Sequence, residues 1–347
     1  MKKLYIAIVF SAFVMLCASC EKAFMGKEVS NDPVSTFEYL WKAVDEQYSF
    51  FDVKGVDWDS VYAVYRPKVS ENISDDSLFN VLGAMLNTLN DGHTNLVSPF
   101  DVSHNELVYR KMYENKNINS DVVVLNYLTI NYHTTGAFAH NAIRDGQIAY
   151  LRYSSFVDAI SDDDLVYLVN KYKNTKGMII DLRQNGGGSV DNVWNLLKLF
   201  PDEERDLYKT QIKNGPKHGD FSEMKIVKLP KHEEKTKYKH PIVVLTDRGS
   251  YSATSFFSLC VKSNFPEATI VGDTTGGGLG LPNGGELPNG WTYRFSVTRT
   301  LDNHDNNYEN GMPPDVTVIL DPVQTALGVD NVIEAACDIL LEEQQAN

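Results

Sequence analysis

Cysteine, basic charge and long apolar runs are all scarce in this chain, and each shortage excludes something. Four cysteines occur in 347 residues, and two of them, Cys17 and Cys20, fall in the first 20, so no disulfide framework holds the fold. The remaining pair, Cys260 and Cys337, sits in apolar helical patterns where a buried free thiol is the commoner state, and their pairing stays open. Lys and Arg number 32 against 46 Asp and Glu, a formal charge of -14, so the chain has no electrostatic purchase on a phosphate backbone and no nucleic-acid partner is expected. The eight histidines are scattered and no Cys/His group has metal-ligand spacing, so neither a metal nor an organic cofactor is expected. What is present, 43% hydrophobic and 22% charged residues, excludes a disordered chain and supports one large core or two smaller ones.

The one concentrated apolar run, Leu4–Leu16, is too short for a permanent bilayer span and follows Met1-Lys2-Lys3. Residues 1–19 therefore read as a signal peptide. The run ends in Leu16-Cys17-Ala18-Ser19-Cys20, which resembles a bacterial lipobox with Cys20 as the lipidated residue and Cys17 where a leucine is usual. A lipoprotein of the cell envelope is expected, facing the periplasm or the cell surface, with acyl chains holding an acidic domain at the membrane.

After a polar tether (20–32), Ser35 and Glu38 have capping-box spacing ahead of Phe37, Leu40, Trp41, Val44 and Tyr48. Two more helices are expected around Trp58–Tyr65 and Leu78–Leu89, so 33–97 reads as a helical N-terminal subdomain. Residues 98–144 read as a β-rich connector, on the β-branched and aromatic content of Val122–Leu125 and Tyr127–Tyr132. From 145 to 347 the texture is α/β. Apolar strands at 147–153, 177–182, 241–246 and 268–272 alternate with helices at 190–200 and 252–263, strands follow near 291–300 and 315–320, and a helix closes the chain from Asn331. The charged stretch 203–240 lacks periodicity and reads as surface elaboration.

Four short segments could carry chemistry. Ser250 and Ser252 lie where a buried strand turns into a helix, so either hydroxyl could cap the helix or sit among its free N–H groups as a nucleophile. Gly186-Gly187-Gly188 follows another buried strand and permits close backbone approach, as a plain turn or as a donor of oxyanion N–H groups. His93, in Asp91-Gly92-His93-Thr94, is a turn residue or a general base. Glu309 alone would rank as surface charge.

Taken in order, Asp91-Gly92-His93-Thr94, Asp181-Leu182-Arg183-Gln184-Asn185-Gly186-Gly187-Gly188, Ser250-Tyr251-Ser252-Ala253, Gly272-Asp273-Thr274-Thr275-Gly276 and Gly311-Met312-Pro313-Pro314-Asp315-Val316 resemble the C-terminal processing peptidases and tricorn-core serine peptidases. The resemblance covers 33–337 and implies an α/β core of the ClpP/crotonase type with an N-terminal helical bundle. The processing branch pairs its serine with a lysine in the later glycine turn. Here that position is Gly278 and no lysine follows Lys262, so the tricorn-like branch is the match. That branch implies Ser252 as nucleophile, His93 as base, Glu309 as the group that orients the imidazole directly or through water, and the amides of Gly187 and Ala253 as oxyanion donors. Pro99–Asp145 is too short for the PDZ domain that many processing peptidases carry, so none is expected.

The activity implied is hydrolysis of unfolded proteins or peptides. Two other readings stand beside it: a catalytically silent ligand- or peptide-binding lipoprotein, and an acyl hydrolase acting on esters.

Overall fold

The computed structural model describes residues 30–114, 116–201 and 205–342. The leader, the lipobox and most of the tether lie outside those residues.

The first helix, Pro33–Gln47, buries a stripe of Thr36, Phe37, Leu40, Ala43 and Val44. Its cap corrects the capping-box reading. Asp32 accepts the Ser35 N–H at 2.9 Å, and Glu38 instead accepts the Tyr62 hydroxyl and Arg66 Nε across the bundle. Helices Phe51–Lys54, Trp58–Tyr65 and Asp75–Asn87 follow, the first of them ending at Gly55 with φ 65°. Their apolar faces do not close on themselves. Leu287, Trp291, Tyr293 and Phe295 complete this core from a small antiparallel sheet of Asn95–Val97, Thr292–Ser296 and Pro282–Glu286. A segment some 200 residues downstream in sequence is thereby built into the N-terminal bundle.

The centre of the molecule is a seven-stranded sheet in the order Val316–Thr317, Ala268–Gly272, Ile242–Thr246, Gly177–Asp181, Ile148–Tyr153, Phe138–Ile143, His133–Thr135. The first five run parallel, and Phe138–Ile143 runs opposite to them, pairing antiparallel with both Ile148–Tyr153 and His133–Thr135. Alternate residues of each strand serve different cores, as the two-residue period requires. Met178, Ile180, Ile242, Val244 and Ile270 pack under helices Asp162–Lys171, Val190–Leu197 and Ala253–Asn264, whereas Ile179, Val243, Leu245 and Val271 pack against Asn331–Glu342. Cys260 lies in the first cluster and Cys337 in the second, so both are buried free thiols.

Two readings are corrected. The connector is only partly strand: His133–Thr135 and Phe138–Ile143 are strands, but Glu106–Tyr113 is a helix, and 120–128 is helical, passing from Ser120–Val122 into a wider turn over Val123–Leu128. Asn119 accepts the N–H groups of Asp121 and Val122, which starts the turn. Val122, Val123, Tyr127 and Leu128 bury against the closing helix while Val124 and Leu125 stay exposed, a helical spacing that overrides β propensity. The stretch 203–240 is more than surface: Asp206–Ile212 pairs antiparallel with Lys225–Lys228 on one side and with Thr298–Leu301 on the other in a third sheet, and Leu207 and Tyr208 enter the main core.

Candidate active site

The strand Ile242–Thr246 ends in a turn whose organiser is Asp247, fully buried. Its Oδ1 accepts the N–H groups of Gln184, Gly249 and Ser250, and its Oδ2 accepts Gln184 Nε2 at 2.8 Å. Ser250 is spent on that turn, accepting the Asp247 N–H and donating its hydroxyl to the Leu182 carbonyl at 2.9 Å. Ser252 is not. It stands at the N-cap of Ala253–Asn264 with φ 55° and ψ -118° and makes no side-chain cap. A non-glycine residue held there costs on the order of 1–3 kcal/mol, which the surrounding hydrogen bonds must impose. Those bonds run from Ser252 N–H to the Gly277 carbonyl and from Tyr251 N–H to the Asn185 carbonyl. The conformation turns the Ser252 hydroxyl toward His93, whose Nε2 lies 2.9 Å from Oγ.

His93 arrives from the turn after helix Asp75–Asn87. Asp91 fixes that turn, accepting the His93 N–H on Oδ1 and the Ser296 hydroxyl on Oδ2, both at 2.8 Å. The ring is buried against Tyr251, with centroids 5.1 Å apart, and its Nδ1 has no hydrogen-bond partner. Burial pushes the imidazole below its ordinary pKa. The Asp91 carboxylate opposes that shift, whereas Arg294 and Lys54 reinforce it.

Glu309 is buried in the same cluster. Its Oε2 accepts the Leu279 and Gly280 N–H groups at 2.7 and 3.0 Å, and its Oε1, unpartnered in hydrogen bonding, lies 3.5 Å from Lys54 Nζ. Burial first, then the neighbouring Asp91 charge, push its carboxyl up to about 8 against the pull of Lys54 and the two amides. No hydrogen bond joins Glu309 to His93. The carboxylate that touches the histidine residue is Asp91, through the backbone.

The glycine loop differs from the expectation for Gly187. Its N–H donates to Asn185 Oδ1 at 3.0 Å, closing an Asx turn instead of pointing into the cleft. Gly187 still packs on the serine: with φ 97°, a Cβ there would come 2.8 Å from Ser252 Cβ and 2.9 Å from Ala253 N. The Ala253 N–H opens its helix and belongs to the turn without intrahelical acceptors. Arg183, in the same motif, is fully buried and serves the fold, with Nη2 on Asp181 at 2.7 Å and Nη1 on Asp330 at 3.0 Å.

Ser252, His93, Gly186–Gly188 and Ala253 line a cleft of about 500 Å³, walled on one side by helix Glu106–Tyr113. Lys54, Asn185, Asp247 and Arg294 were missed as site residues from the sequence. Asp247 and Asn185 stand inside quoted motifs or beside them, but nothing local marks Lys54 or Arg294.

A serine on a strained strand-to-helix turn, hydrogen-bonded to a histidine from a separate subdomain, defines the class: a serine hydrolase. Comparison with known proteins narrows it. Residues 147–318 match the model for peptidase family S41, and 31–87 match the Tricorn protease C1 domain. A putative peptidase from Parabacteroides merdae ATCC 43184 is 39% identical with a TM-score of 0.83, over 89% of this chain and 97% of that one. The carboxy-terminal processing protease CtpA of Bacillus subtilis (strain 168) is 27% identical over 166 residues, 47% of this chain and 33% of that protein. The chain thus spans about a third of that curated relative's length. Mature CPAF, 13% identical with a TM-score of 0.63 over 90% of this chain and 97% of that one, shares the fold. The chain belongs to peptidase family S41, a family of serine peptidases.

Proposed function

We propose that this chain is a serine peptidase that cuts peptides and unfolded proteins in the bacterial cell envelope, held there by lipid on Cys20. The observation that carries the reading is the 2.9 Å contact between His93 Nε2 and Ser252 Oγ in an open cleft. Ser252 attacks the scissile carbonyl while His93 takes its proton and later gives it to the leaving amine. As the imidazolium forms, the Asp91 carboxylate favours its charge. The Ala253 N–H receives the oxyanion with an amide of the Gly186–Gly188 run, and Gly187 serves only when Asn185 releases it. Glu309 supports the histidine from within the buried cluster: its Oε2 accepts the Gly280 N–H, its Oε1 is paired with Lys54, and the Gly280 backbone acts on His93 as well.

The test incubates the soluble protein from Glu21 onward, beside Ser252→Ala, with an unfolded protein and identifies new termini by mass spectrometry. Cleavage by the wild type alone is expected. Cleavage by both would remove Ser252 as nucleophile, and cleavage by neither folded protein would move the reading to a binding module. Mass analysis of the mature N-terminus from cells tests the anchor, which an unmodified Cys20 would refute.

A further inference from the structure

Two carboxylates, Asp91 and Glu309, are buried in the His93 cluster, and the Asp91 charge disfavours ionisation of Glu309. The two phenols there, Tyr48 and Tyr251, stay neutral because burial raises both well above the ordinary tyrosine range. Arg294 acts on His93 from an exposed position. The cation that faces Glu309 is Lys54, whose side chain is only 7% exposed. Its Nζ lies 3.5 Å from Glu309 Oε1 and donates to Asn310 Oδ1 at 2.9 Å. Oε2 already has the Leu279 and Gly280 amides, so the Lys54 charge is what balances Oε1.

Lys54 is delivered by the four-residue helix Phe51–Lys54, which distant segments hold in place. Phe51 is buried in the bundle core, and the Ser49 N–H donates to the Ser296 carbonyl at 3.0 Å. Arg299 Nε donates to the Ser49 carbonyl at 2.7 Å, and its guanidinium pairs with Asp52. Withdrawing a lysine from water costs desolvation and rotamer entropy, which a partner for its charge offsets. Lys54 does not line the catalytic cleft. With Glu309 it lines a second cavity of about 360 Å³, and Tyr251 and Gly278 border both cavity and cleft. Its path to the chemistry runs through Glu309, which shares with His93 both the Asp91 charge and the Gly280 backbone.

We propose that Lys54 is a positioning residue for catalysis: its ammonium keeps Glu309 a carboxylate and holds Oε1 in place, so that the charge supporting the His93 imidazolium is set from the N-terminal bundle. The proposal rests on the Ser252–His93 reading, and a probe of serine reactivity that needs no peptide substrate tests it separately. A fluorophosphonate bonds its phosphorus to Ser252 Oγ, loses fluoride and leaves the serine proton with His93. Its labelling rate is measured from pH 6 to 10 on the full chain in detergent, beside kcat and KM for fluorescein-labelled casein.

In the wild type, labelling should rise between pH 7 and 9 as Glu309 ionises. Lys54→Met removes the facing charge and should move that rise upward by about one pH unit or more, lowering the rate at pH 7 about tenfold. In casein cleavage the loss should fall on kcat with KM unchanged. Lys54→Arg should keep the rise near its wild-type position. At pH 8 in a Glu309→Gln background, Lys54→Met should cost nothing further, because its target is gone. The direct effect of Lys54 on His93 moves only the acid limb and survives Glu309→Gln, which separates the two. Thermal melts at each assay pH show that the variants are folded. An unmoved rise in Lys54→Met, an equal loss in the Glu309→Gln background, or a Lys54→Arg as impaired as Lys54→Met would overturn the proposal. Labelling that depends on Lys54 in a wild type that cuts no casein would instead sink the peptidase reading and leave the role of Lys54 standing.

Discussion

Gly278 lies against the ring of Tyr251 so closely that a Cβ on the glycine would fall inside the van der Waals radius of the ring atoms. This is the position where the processing branch resembled by the sequence carries its lysine. In this chain the volume belongs to Tyr251, whose ring also packs against His93 with centroids 5.1 Å apart. The replacement of a lysine dyad by a histidine base is therefore built into the packing as well as the sequence.

Gly278→Lys should consequently fail to rescue His93→Ala. With φ 76° and the tyrosine in the way, it should lower stability by roughly 2–5 kcal/mol, overpacking added to backbone strain. Urea unfolding and peptide cleavage of the double variant check both statements, and recovered cleavage would contradict the reading of the site.

His93 is held below its ordinary pKa by burial, so the basic form survives to lower pH than a free imidazole would allow. Turnover should hold at pH 6.5 and fall only as pH drops further. His93→Ala should lose on the order of 10³-fold or more in kcat. Asp91→Asn removes the charge that favours the imidazolium, and should move the acid limb lower still while slowing turnover. A pH–rate profile of the three proteins decides. An unchanged limb in Asp91→Asn would remove Asp91 from the proton transfer.

For Glu309 the sign is the reverse. Its folded carboxyl titrates at about 8 against an ordinary 4.5, so between those values the folded state binds more protons than the unfolded one. Its contribution to stability is thus full below about pH 4.5 and declines as pH rises toward and through 8. Glu309→Gln, a neutral isostere, should flatten that part of the curve and gain relative to wild type at pH 9 in thermal melts. If the ionised carboxylate assists His93, wild-type turnover rises between pH 7 and 9, and Glu309→Gln stays flat. Parallel profiles would leave Glu309 a structural group only.

Asp181, Arg183 and Asp330 form a buried ionic triad under the glycine loop. Burial alone would raise the Asp181 carboxyl, but Arg183 and Arg152 hold it down to about 2. Arg183→Met leaves buried Asp330 without its cation and Asp181 with Arg152 alone, and should cost about 3–5 kcal/mol. Denaturant midpoints measure this, and a loss below about 1 kcal/mol would mean water reaches the triad.

The strands at Ile148–Tyr153, Gly177–Asp181, Ile242–Thr246 and Ala268–Gly272 were legible because apolar runs of five or six residues bounded by Gly, Asn and Asp are a local signal. So were the segments holding Ser252 and His93, each marked by its own neighbours. The helical turn at Val122–Leu128 was not, because β-branched residues prefer strands until a neighbouring helix buries every fourth or fifth one. The sheet joining Asp206–Ile212 to Thr298–Leu301 was hidden for the same reason, its partner lying far along the chain.

By itself the sequence determined the α/β order, the strand-to-helix turn and the absence of a lysine after Lys262. Which serine faces a base was decided by the tertiary structure: Ser250 is drawn into the Asp247 turn, and Ser252 is forced to positive φ against a histidine 159 residues away. The same holds for Lys54 beside Glu309 and for Arg294 open to the cleft. Hydrogen-bond competition, burial and charge act through space, and their outcome exists only once distant segments share one interior.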